Sequence, residues 1–90
     1  MAGTGGESSV TVEVRVALKP GVMDAAAETI EKSLGLLGIV PAPRVRTARI
    51  YVLEFAGVDR AVAEAKAREA VDRLLANPVV HHATVRTISD

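Results

Sequence analysis

The sequence contains no cysteine and no tryptophan, and its aromatic residues are one tyrosine and one phenylalanine. Without thiols there is no disulfide framework, no thiolate zinc site and no cysteine nucleophile. Tyr51 and Phe55 are too few to furnish the stacking platform of an RNA-binding sheet. Eleven basic and eleven acidic residues cancel, so no broad field draws the chain to nucleic acid or to an anionic membrane. No apolar run approaches the roughly 20 residues of a membrane-spanning helix. Residues 1–9 lack the basic and apolar regions of a secretory signal, and a cytoplasmic protein is the expectation. His81 and His82 are the two histidines. Neighbours on a strand point to opposite faces, so they cannot readily grip one metal together. No serine sits in a Gly-x-Ser-x-Gly turn, and no carboxylate pair falls in a plausible cleft. No catalytic residue, metal site or cofactor site is expected on this chain.

What is present suits one ordered domain of ninety residues, 49% hydrophobic and 24% charged. Residues 1–9 are small, polar and glycine-rich. They have no strand before them and no Gly-Lys-Ser/Thr after them, so they read as a flexible leader and not as a phosphate loop. Residues 10–90 then form the single domain.

From Val10 to Leu18, valine or leucine fills every second position, the pattern of a strand with one buried face. Pro20-Gly21 stops it, and Asp24 is placed to cap a following helix. Ala27, Ile30, Leu34 and Leu37 recur at spacings of three and four, which predicts a helix over 25–37 closed by Gly38. Pro41 and Pro43 favour an extended connection. Residues 44–47 and 49–55 read as two short strands of a hairpin about Thr47-Ala48. In the second of these, Glu54 faces water, which puts Tyr51, Leu53 and Phe55 on the core side and leaves Ile50 and Val52 on the outer face. Gly57-Val58-Asp59 offers a second turn and cap, and residues 60–76 predict the second helix, with Ala63, Ala67, Ala70, Val71 and Leu74 inward and the pairs Glu64/Arg68 and Glu69/Arg73 outward. Asn77-Pro78 ends it, and residues 79–88 form the last strand.

The element order is therefore β-α-β-β-α-β, an α+β ferredoxin-like antiparallel sheet with two helices on one face. Its other face stays open, and Ile50 and Val52 on it make self-association between like subunits the simplest cover. Two turns are candidate contact sites, one holding Lys19 and Asp24 and the other Asn77 and Pro78. For Asp24 and Asn77 the competing explanation is turn and cap chemistry. Lys19 has no such duty.

A valine-rich strand running into Lys19-Pro20-Gly21-Val22-Met23-Asp24 resembles the PurS family, as do Leu34-Gly35 and Leu37-Gly38 after it. Val45-Arg46 and Leu74-Leu75-Ala76-Asn77-Pro78-Val79-Val80 extend the likeness to about residues 10–88. The chain departs from the usual family pattern at Ala25-Ala26-Ala27, Ala48 and Ala83. The resemblance implies the small, non-catalytic subunit of phosphoribosylformylglycinamidine synthase, a glutamine-dependent enzyme of purine biosynthesis. It implies a homodimer or tetramer that joins a large synthetase subunit and a glutaminase subunit. ATP, magnesium and glutamine would be used by the assembled complex and not by this chain. A competing reading is a homodimeric regulatory module that binds a small molecule between its subunits.

Overall fold

A computed structural model describes residues 9–89. The elements are β1 (Ser9–Leu18), α1 (Ala25–Leu36), β2 (Ala48–Ala56), α2 (Arg60–Ala70), a π-helical turn (Val71–Leu75) and β3 (His81–Ser89). Apart from Ser9, which opens β1, the expected leader lies outside the described residues. The three strands form one antiparallel sheet in the order β2-β1-β3.

The alternation of β1 decides where the core sits. Val10, Val12, Val14 and Val16 are buried on one face, and Ala63 and Ala67 of α2 are buried against them. A helix whose inner positions are alanine can bring its backbone close to a valine surface, so a small domain closes its core without large side chains. Asp59 caps α2 by accepting a 2.9 Å bond from the Val62 amide. On β2, Tyr51, Leu53 and Phe55 pack against the same core. Ile50 and Val52 face the other way, 47% and 56% exposed, opposite Arg15 and Glu13 of β1. The α+β ferredoxin-like reading and the alternation of β2 both stand.

Three details of the sequence reading are corrected. Residues 44–47 do not form a separate hairpin strand, so among the described residues the sheet has three strands and not four. The amides of Val45 and Thr47, which a strand ladder would need, donate instead to Glu31 and Asp24 at 2.8 and 3.0 Å. Pro41 and Pro43, just before, have no amide to offer a ladder.

Nor does α1 lie across the sheet beside α2; among the described residues the sheet's core face is covered by α2 and the π-helical turn that follows it. Only Ala27 of α1 is buried, and Leu37, placed inward by periodicity, is 75% exposed. The tight turn after β1, with Gly21 at φ +87° and a 3.1 Å bond from the Val22 amide to the Lys19 carbonyl, turns α1 away from the sheet. Asp24 and Glu31 then bind α1 to the 44–47 segment.

Finally, Leu74 is 81% exposed while Leu75 packs on the core. At this point the helix widens, with the Ala76 amide reaching the Val71 carbonyl at 3.2 Å. An i→i+5 turn advances each residue by a smaller angle than an α turn, so the inward position passes from Leu74 to Leu75.

Candidate functional site

β1 ends, and β2 and β3 begin, at the same edge of the sheet, which brings together the two turns singled out in the sequence. The Lys19 amide donates to the Val80 carbonyl at 2.8 Å. Val80 is held in turn by Asn77, whose backbone carbonyl accepts from the Val80 and His81 amides at 3.1 and 2.8 Å. The Asn77 side-chain oxygen accepts from the Val79 amide at 2.9 Å. The Asn77 backbone amide donates to Nδ1 of His81 at 2.9 Å. Asn77 is thus the organiser of its turn, and Pro78 stands exposed on the outside of it.

Lys19 and Asp24 occupy the facing turn, with different duties. The Lys19 ammonium is exposed and has no hydrogen-bond or ionic partner among the described residues. Asp24 is fully engaged. One carboxylate oxygen caps α1 through the Ala27 amide at 2.9 Å. The other accepts from the amide and hydroxyl of Thr47 at 3.0 and 2.7 Å. The Ala27 amide, then the Thr47 hydroxyl and amide, hold the carboxyl below its ordinary pKa, because each donor stabilises the ionised form. Asp24 therefore acts as a clasp between α1 and the entry to β2.

A groove of about 590 Å³ opens beside this clasp, lined among others by Arg15, Lys19, Arg46 and His82. On the other side of the strand ends, Tyr51, Leu75 and His81 border a second hollow of about 480 Å³. The two histidines thus border different hollows, as strand alternation requires, and do not converge. Among the described residues no group of three His, Asp or Glu side chains could hold a metal ion. Ile50 and Val52 line neither hollow and lie farther along β2, on the face away from α2.

Thr47 and Glu31 escaped the sequence reading. Asp24 and Glu31 are seven residues apart, two helical turns, so that both carboxylates share a face, and this spacing was the available signal. Nothing local marks Thr47 or Val45 as their partners. The whole arrangement offers fixed turns and exposed cations, chemistry suited to recognition.

No helix of the structure is long and apolar enough to cross a membrane among the described residues. The family model for PurS, phosphoribosylformylglycinamidine (FGAM) synthase, matches residues 11–89. The PurS subunit of Archaeoglobus fulgidus is 35% identical over 76% of this chain and 85% of its own length. That of Methanothermobacter thermautotrophicus is 42% identical over 78% of this chain and 82% of its own. Among solved structures, the Thermotoga maritima PurS subunit superposes with a TM-score of 0.82 at 26% identity, covering 93% of this chain and 97% of that one. A chain of the Thermotoga maritima PurLQS structure matches at TM-score 0.81 and 27% identity, over 90% of this chain and 99% of that one. This chain, matched from its first strand to its last, belongs to the PurS family, the small subunit of phosphoribosylformylglycinamidine synthase.

Proposed function

We propose that the protein is the non-catalytic small subunit that supports assembly of phosphoribosylformylglycinamidine synthase, in the cytoplasm. The assembled enzyme, a glutamine-dependent ligase, converts formylglycinamide ribonucleotide to the amidine at the expense of ATP. The observation that carries this reading is the match, over nearly the whole of both chains, to a chain of the Thermotoga maritima PurLQS structure. A domain that covers 99% of one chain of such a complex, with 90% of its own residues matched, supports a subunit role. ATP, magnesium and glutamine are bound by the larger partners in this reading, and this chain needs no cofactor of its own.

The partners are a large synthetase subunit and a glutaminase subunit, with Lys19 and Pro78 as contact residues and Asp24 and Asn77 shaping the turns that present them. The chain also associates with copies of itself, as a homodimer or tetramer. Ile50 and Val52 supply the apolar patch on the open sheet face, and the uncovered leucines of α1 add to the surface that copies can share.

Reconstitution tests the reading. This protein is mixed with separately purified large and glutaminase subunits, and glutamine-dependent amidine formation is measured. Activity that appears only on its addition, with the chain alone inert, supports the assembly role. Full activity of the other two subunits without it, and no complex on gel filtration, would overturn that role. Lys19→Ala is expected to lower coupled activity several-fold while leaving the unfolding temperature unchanged, since a rim lysine contributes to docking and not to the fold.

A further inference from the structure

The fold leaves part of a sheet without a helix and a helix without a sheet. α2 and the π-helical turn pack chiefly over β1 and β3. On β2, the core-side residues Tyr51, Leu53 and Phe55 meet the core at its margin and stay only partly buried. A ferredoxin-like sheet lays two helices on one face. Here the half of that face over β2 carries none among the described residues.

α1 has the opposite defect. Among the described residues it makes no extensive contact with any strand or with α2. Ile30 and Leu37, on the stripe that Ala27 and Leu34 share, are exposed, and Ile39 and Val40 continue the apolar surface past the end of the helix. A helix of 12 residues is marginal in water unless a tertiary surface takes its apolar face. Its own chain does not bring that surface to it. The bonds from the Thr47 amide to Asp24 and from the Val45 amide to Glu31 pin α1 to the segment that enters β2, at the end of the sheet. The molecule is extended as a result, with a radius of gyration of 17.4 Å against about 12 Å for a compact chain of this length.

We infer that two copies of this chain exchange these helices, α1 of each lying over the uncovered β2 half of the other, with Ile30, Leu34 and Leu37 against Tyr51, Leu53 and Phe55. One chain contains both the helix and the seat, so a twofold pair satisfies each copy at once, whereas an unrelated partner would fill one and leave the other. Neither the stripe nor β2 between Tyr51 and Phe55 presents a charge on the faces that would meet, so their burial strands none. The area is sufficient. The 9.4 kDa chain exposes 6522 Å², where a compact monomer of that mass exposes about 5,000 Å². The excess is larger than the ~800 Å² that each partner of a standard interface buries. The inference rests on the self-association proposed above and gives it a second surface, leaving Ile50 and Val52 free on the opposite face.

Tyr51 and Phe55, the two aromatic residues of the chain, both lie on the receiving face and serve as reporters. Copies perdeuterated except for ¹³C-labelled Leu and Ile methyl groups are mixed with unlabelled copies by unfolding and refolding together. Nuclear Overhauser effects from labelled methyls to aromatic protons then arise only between copies, and they are expected from Leu34 and Leu37 to both rings. By sedimentation, the double variant Leu34→Asp, Leu37→Asp should raise the dissociation constant about a hundredfold or more, since burial of each leucine alone is worth about tenfold. Its core should still unfold cooperatively, because neither leucine belongs to it. Val52→Lys should leave the methyl-to-ring effects in place. A dimer without those effects, or a double variant that dimerises as tightly as wild type, would overturn the exchange. If Val52→Lys alone dissociates the dimer, self-association stands and runs through the open face instead. A chain that stays monomeric at every concentration would remove both, while reconstitution tests the assembly role separately.

Discussion

Leu74 and Leu75 are adjacent leucines whose roles the π-helical turn exchanges, which makes them a sharp probe of the structure. Helical periodicity alone counts Leu74 as core, yet it is 81% exposed, whereas Leu75 packs on the valine face of β1. Leu→Ala at a fully buried site costs about 2–5 kcal/mol. Leu75 is only half-buried, so its loss is expected to be about 1–2 kcal/mol. In a domain of this size that lowers the unfolding temperature by about 5–15 °C. Leu74→Ala removes little buried surface and puts in the best helix former, so a change within about 0.5 kcal/mol is expected. Thermal unfolding and urea titration of both variants by circular dichroism read the difference. The urea midpoint falls for Leu75→Ala at unchanged slope. Each variant is measured at a low and a tenfold higher protein concentration, because burial of Leu74 between subunits would make its effect grow with concentration. Equal losses for the two variants at the low concentration would refute the phase change assigned to this turn.

Three further outcomes follow from the same geometry. The Asp24 carboxyl has a lowered pKa in the folded state, so its stabilisation is present above its unfolded pKa and is lost as pH falls through the folded value. Asp24→Asn should therefore be less stable at neutral pH and show a shallower acid limb, and melting curves from about pH 6 to about pH 2.5 that run parallel to wild type would contradict this. Glu64, held low by the Thr87 hydroxyl and then by Arg60, behaves in the same sense, and Thr87→Val should flatten its part of the acid limb. Gly21 has φ +87° with open space where a Cβ would go, so Gly21→Ala meets backbone strain alone. It should cost about 1 kcal/mol, and an unfolding temperature within a degree or so of wild type would show that the turn tolerates a side chain.

The ends of elements were legible because local chemistry writes them. Asp24 and Asp59 cap the two helices as their spacing foretells, and Asn77 closes its turn with its own side chain. The faces of β1 and β2 were legible for a similar reason, since a period of two leaves one choice of which side is buried. The candidate site was legible in part. Lys19, Asp24, Asn77 and Pro78 were singled out separately, but a backbone bond between Lys19 and Val80 is what joins their turns. Nothing local marked Arg15, Arg46 and His82 as neighbours, because segments remote in sequence bring them to one groove.

By itself, then, the sequence determined the two caps, the valine face that nucleates the core, and the alternation that exposes Ile50 and Val52. These depend on neighbours within a few residues, and the rules of strand and helix geometry act at that range. Tertiary structure decided the rest. Whether residues 44–47 pair as a strand depended on a competition for the Val45 and Thr47 amides. Glu31 and Asp24, fourteen and twenty-three residues away, took them. Once those bonds were made, α1 was held at the end of the sheet and not across it, its leucines were left outside, and the groove beside Lys19 came into being.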